Sequence, residues 1–231
     1  MEDFQKREDV QDIIRLRRAR QMAIAMIKRG REAGIPDKYL RIFPDKFSEV
    51  LSSEFHGGKV RGVSAFCDSI YKDEEFLMSR DFISIDGGDV HNRNVAGFAV
   101  LFRIISYDRR GNYVSCDSLI HKFQTINSTE NITRNDLAEE LKSYDVLMIG
   151  ECDRLRFNPH FETGSFFDEV LSDRITRGVP TIISFVNPIS SDTSLEKSAI
   201  DGKLDSGCGR NIAKLCLTPK TTESVLRIRV K

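Results

Sequence analysis

Two stretches of the chain, Val146-Leu147-Met148-Ile149 and Pro180-Thr181-Ile182-Ile183-Ser184-Phe185-Val186, are mostly apolar without a polar residue at every second place. Such runs predict strands buried on both faces of a sheet. Asp81-Phe82-Ile83-Ser84-Ile85 predicts another strand that enters a glycine-containing turn, and Tyr113-Val114-Ser115-Cys116 a shorter one. Val225 to Val230 alternates with Arg227 and Arg229, the pattern of an edge strand. Helical patterns fall between them, at Val95 to Ile105, Asp117 to Phe123, Asp136 to Ser143 and Phe166 to Arg177. Asp117 is the expected N-cap of the second helix, Asn135 or Thr133 opens the third, and Gly178 ends the fourth. Strands alternating with helices predict βαβ units, hence an α/β fold with a mostly parallel sheet flanked by helices.

The amino-terminal part differs. From Ile13 to Arg31 the basic residues are Arg15, Arg17, Arg18, Arg20, Lys28, Arg29 and Arg31, with no acid among them. Ala, Met, Ile and Leu fill the gaps, so a helix is expected, ended by Gly30, Gly34 and Pro36. Two readings stand: a solvated helix face, or a basic arm that docks on nucleic-acid phosphates or an acidic partner. The expected organisation is a helical arm over residues 1–34 and an α/β core over 35–231.

Composition narrows the class. A chain of 231 residues, 40% hydrophobic and 30% charged, is long enough for one α/β core with a short appendage, and unlike collagen-like, disordered or disulfide-scaffold chains. Lys and Arg number 35 against 35 Asp and Glu, which excludes a globally basic coat but not local clustering. Apolar runs such as Ala96 to Phe102 fall short of the ~18 residues of a membrane span. Met1-Glu2-Asp3-Phe4-Gln5 does not resemble a secretory signal. The five cysteines (Cys67, Cys116, Cys152, Cys208, Cys216) form no Cys-x-x-Cys pair, as expected of reduced thiols in a cytoplasmic protein. His56, His91, His121 and His160 lack metal-ligand spacing, so no metal site is expected.

In open parallel sheets, ligands sit beyond the carboxyl ends of strands. The loop after the first core strand reads Asp86-Gly87-Gly88-Asp89-Val90-His91-Asn92-Arg93-Asn94. A phosphate-cradling loop would place Gly-x-x-x-x-Gly-Lys-Ser/Thr there. Gly87 starts that spacing, but Asn92, Arg93 and Asn94 hold the last three places. Arg93 keeps the charge on a bulkier planar head, and Asn94 offers magnesium an amide oxygen in place of a hydroxyl. A second loop, Ile149-Gly150-Glu151-Cys152-Asp153, has Gly150 where a metal-anchoring acid would stand and Glu151 where a water-activating base would stand. A generic glycine turn and an exposed acidic loop are the competing readings.

The order of these features resembles a family. Gly34-Ile35-Pro36-x-x-Tyr39, the strand–loop–helix at 81–105, Gly111-x-Tyr113-Val114, Tyr144 to Glu151, and Arg174 six residues before Pro180-Thr181-Ile182-Ile183 follow one another. This succession is similar to AAA+ ATPases of the DnaC/DnaI helicase-loader type and the ATP-binding helpers of insertion-sequence transposases, over about residues 34 to 231. The resemblance implies a P-loop NTPase core without a separate helical lid domain, ATP-driven assembly, DNA contact and delivery of a partner protein. It implies a nucleotide loop at Gly87, Gly88, Asn92, Arg93 and Asn94, a catalytic base at Glu151, a sensor at Asn187, and a trans-acting arginine for which Lys203 and Arg210 are the candidates.

Four of these functional positions depart from the family pattern together. Charge-assisted phosphate and metal contacts are worth roughly 1.5–3 kcal/mol apiece. Losing two weakens nucleotide binding by about a hundredfold or more. The expectation is a degenerate AAA+-like protein of DNA replication that binds a replicative helicase or another AAA+ subunit, with DNA as a further partner and homo- or hetero-oligomers allowed. No cofactor is expected beyond weak residual ATP. Two alternatives remain open: an active loader or transposition helper working through Arg93 and Glu151, and a phage-type adaptor or inhibitor of a host replication protein.

Overall fold

The computed structural model describes residues 2–41, 47–51, 63–72, 74–126, 132–151, 163–184 and 225–231. Helix α1 (Glu2–Glu32) leads to the short helices α2 (Asp37–Leu40), α3 (Phe47–Val50), α4 (Val63–Lys72) and α5 (Glu74–Met78). Then come β1 (Phe82–Gly87), α6 (Val90–Ile105), β2 (Gly111–Ser115), α7 (Cys116–Thr125) and α8 (Arg134–Ser143). The described chain continues with β3 (Val146–Gly150), α9 (Thr163–Thr176), β4 (Thr181–Ser184) and β5 (Val225–Val230).

The five strands form one sheet in the order β2-β3-β4-β1-β5, every neighbouring pair parallel. Residues of β1, β3 and β4 are all buried, which explains why these strands carry near-continuous apolar runs. Alternate side chains feed two cores. Ile83, Ile85, Met148, Ile182 and Ile228 join α6 on one face, while Phe82, Leu147, Ile149 and Ile183 join α7, α8 and α9 on the other.

Both sheet edges are covered by the chain's own amino-terminal part. Tyr113 N–H of β2 donates to Ala33 O at 2.8 Å. On the far side, Lys231 N–H donates to Val50 O at 2.8 Å, and Leu51 bridges Val230 antiparallel. Covered edges present no free ladder to another strand.

The boundaries differ from expectation at three places. Helix α6 begins at Val90, not Val95, because Asp89 caps it by accepting from Asn92 N–H at 2.7 Å. Helix α7 is capped by Ser115, one residue beyond the strand, and Asp117 lies inside its first turn. Gly30 does not stop α1: it is a buried position inside the helix, packed so closely on Leu40 that a Cβ would collide. The true stop is Gly34 at φ +77°, with Ile35 N–H donating to Gly30 O. Of the two candidates for opening α8, the cap is Thr133, in a reciprocal box with Asp136.

Candidate functional site

The carboxyl ends of β1, β3 and β4 lie side by side, and each of the places that would hold a nucleotide is filled by a side chain of this protein. Gly87 and Gly88 leave β1 with φ of +82° and +51°. They press on the end of β5: a Cβ at Gly87 would lie 2.8 Å from Val230 O, and one at Gly88 would collide with Lys231 O. Glycine is required here by both conformation and space. Only Asp89 separates this pair from α6, so Asn92, Arg93 and Asn94 stand in the first turns of the helix and not in an open loop.

Arg93 is the most consequential of them. It is 2% exposed, and its Nη1 donates to Gly87 O at 2.8 Å and Gly88 O at 2.7 Å. Charge-assisted bonds of this kind are the strong ones. The guanidinium thus points inward and straps the turn that would otherwise wrap phosphate. Asn92 Nδ2 donates to Lys231 O at 2.9 Å, and Asn94 Nδ2 reaches Tyr39 Oη at 3.3 Å. Both amides serve internal contacts. At the start of α6, where a helix attracts anions, the Asp89 carboxylate already accepts the backbone N–H of Asn92.

The second loop is occupied differently. Gly150 ends β3 opposite Ser115, and a Cβ there would lie 3.0 Å from Tyr113 Oη and Cε2. The phenol of Tyr113 fills the space an aspartate side chain at 150 would need. Tyr113 meets Phe98 edge-on with centroids 4.7 Å apart, and Phe98 meets Tyr39 at 4.9 Å. Burial, followed by the nearby Glu151 charge, pushes the Tyr113 hydroxyl up to about 12. Glu151 itself has φ +59°, a conformation costly to a non-glycine residue, and its N–H donates to Ser184 Oγ at 2.9 Å.

The structure therefore brings Gly87, Gly88, Asn92, Arg93, Asn94 and Glu151 to one end of the sheet. Asn187, Lys203 and Arg210, together with Cys152 and Asp153, lie outside the described residues. Among the described residues no three His, Cys, Asp or Glu side chains converge on a common point. Asp89 and Tyr113 were not anticipated as site residues. Asp89 could have been found from its place three residues before Asn92, whereas the Tyr113 contact appears only once the β2–β3 register is known. A third unanticipated group is Asp86, fully buried with Arg229 Nε 3.3 Å away on the neighbouring strand.

The basic arm divides in two. Arg29 pairs with Asp108, Arg31 grips Asp37 through Nε and Nη2 at 2.7 and 3.0 Å, and Lys28 lies 3.7 Å from Glu32. Arg15, Arg17, Arg18 and Arg20 are all exposed. No described helix is long and apolar enough to cross a membrane.

No family model matches the chain, and no curated protein does. Solved structures do. A DnaC helicase loader superposes with a TM-score of 0.53 at 12% identity, over 81% of this chain and 99% of that one. The fold is that of the AAA+ P-loop proteins. A replication initiator DnaA bound to AMPPCP and single-stranded DNA gives 0.53 at 14% identity, over 85% of this chain and 51% of that one. A DNA replication initiation factor gives 0.52 at 15%, over 80% and 50%. The chain spans about half the length of these two initiators. At such identities the likeness is one of fold, and the neighbours sharing it are replication proteins.

Proposed function

We propose that this chain is a catalytically degenerate AAA+ protein of the helicase-loader type, which acts in DNA replication by binding a replicative helicase or another AAA+ subunit without hydrolysing nucleotide. The observation that carries the reading is Arg93. A phosphate-binding cation must face the ligand, whereas this one is buried and spent on the carbonyls of Gly87 and Gly88. Asp89 at the helix start and Tyr113 over Gly150 support it, since one opposes an anion and the other takes the room of a magnesium ligand. A fold retained without its site is the expected outcome for an interaction protein.

On this reading the chain forms a stable complex with the hexameric replicative helicase of its host in the absence of nucleotide. Size-exclusion chromatography of the mixture, with and without magnesium-ATP, is the check. A complex that forms only with ATP contradicts the reading, as does magnesium-dependent ATP turnover abolished by Glu151→Gln. A phage-type adaptor or inhibitor would also form the complex, and is separated from a loader by whether helicase unwinding rises or falls on addition. DNA contact is a second reading, favoured by the exposed Arg15, Arg17, Arg18 and Arg20. It predicts duplex or single-strand binding whose affinity falls steeply with salt.

A further inference from the structure

Helix α1 is 31 residues long, yet only its last part meets the body. Ile27 packs on the core and Gly30 is buried, while every residue from Ile14 to Ala25 is exposed. Leu16 and Met22 are each 69% exposed and Ile24 60%. An open groove of about 530 Å³ runs past Ile14, Arg15, Arg18, Ala19 and Met22. These twelve positions make a rod ~18 Å long at 1.5 Å per residue. A bare helix of this length is marginal in water and gains its stability from a packed neighbour.

The charges along α1 say which neighbour. Residues 2–12 carry the acids Glu2, Asp3, Glu8, Asp9 and Asp12 against only Lys6 and Arg7, whereas 13–31 carry seven bases and no acid. Within one helix, opposite charges pair at spacings of three or four. Of the five acids in this block, only Asp12 has a base of the arginine-rich segment at such a spacing, Arg15. The remaining acids and bases are complementary blocks on one rod, out of each other's reach.

We propose that α1 is a self-association element, in which the arms of two copies lie antiparallel so that the acidic block of each faces the arginine block of the other. With the two-fold axis beside Ile13 and Ile14, Asp12 of one arm lies level with Arg15 of the second copy, and Asp9 with Arg18. The exposed Ile14 and Leu16 fall at the centre, where a symmetric pair buries them against their own copies. Nucleic acid is the poorer occupant, because five acids on the same rod repel phosphate. The inference rests on the arm alone and stands or falls separately from the reading of the nucleotide loop.

The test is sedimentation equilibrium of the full chain at about 50 mM salt, where charges at this distance are only partly screened. The wild type is expected to be a dimer at micromolar concentration. Arg15→Glu with Arg18→Glu, and separately Asp9→Lys with Asp12→Lys, should each weaken it by about tenfold or more. Mixing the two variants should restore a dimer, since each then supplies what the other lacks, and unchanged circular dichroism of each variant monitors folding. A wild type that stays monomeric overturns the proposal. So does a mixture that fails to rescue, or a lysine variant whose only change is tighter duplex DNA binding.

Discussion

The two ends of the parallel sheet are each closed by a buried arginine, and the comparison separates packing from lost chemistry. At the amino ends of β3 and β4, Arg174 is fully buried and donates to Thr181 Oγ1 at 2.9 Å, Leu141 O at 3.1 Å, and Tyr144 O and Pro180 O at 2.7 Å. All four acceptors are neutral, and burial lowers the guanidinium to about 10, so it remains charged at neutral pH. At the carboxyl end of β1, Arg93 is nearly as buried and binds two main-chain carbonyls. The same device has different meanings because the ends differ. Ligands of such sheets bind at carboxyl ends, so an arginine folded inward there removes a function, while at the amino ends it ties α8, α9 and β4 together.

Four substitutions break or sharpen this contrast. Arg174→Met should have the largest effect, about 3–5 kcal/mol, because it strands several buried acceptors. In a chain of this size that is a fall on the order of 10 °C in thermal midpoint. Arg174→Lys should recover little, since one ammonium cannot span carbonyls on α8 and before β4. Arg93→Ala should cost less, about 2–3 kcal/mol by denaturant titration, because the turn it straps lies nearer solvent. An equal loss at both sites would erase the distinction.

Gly88→Ala should cost about 1–3 kcal/mol in the same titration, through its left-handed backbone and the collision with Lys231 O. Tyr113→Phe should change little at neutral pH. Its effect belongs to alkaline solution: the hydroxyl is raised in the folded state, so its contribution is intact below pH 10 and lost as pH rises toward about 12. Stability of the wild type should therefore fall over that window, and the Phe variant should fall less.

Much of the scaffold was legible in the sequence, and the reasons for the rest are local. Strands β1, β3 and β4 announced themselves because burial on both faces forbids polar alternation, and β5 because Arg227 and Arg229 alternate along an edge. The start of α6 was misplaced because Val90-His91-Asn92-Arg93-Asn94 has no apolar period; a single capping bond from Asp89 fixes it instead. Arg174 was visible as a spacing before Pro180, but its acceptors are mostly main-chain carbonyls contributed from some thirty residues upstream as well as next to β4. The departures at Asn92, Asn94 and Gly150 could be read directly. What fills the vacated space could not, since Tyr113 approaches Gly150 only through strand pairing and Arg93 could equally have faced outward.

Calorimetric titration of the full chain with a non-hydrolysable ATP analogue and magnesium tests the central claim most directly. The inward Arg93, the Asp89 cap and the Tyr113 phenol predict no saturable heat up to about 1 mM ligand, corresponding to less than ~4 kcal/mol of binding. The triple variant Asn92→Gly, Arg93→Lys, Asn94→Thr should do no better, because Asp89 and Tyr113 remain. A micromolar dissociation constant in the wild type, lost on Arg93→Ala, would contradict the account.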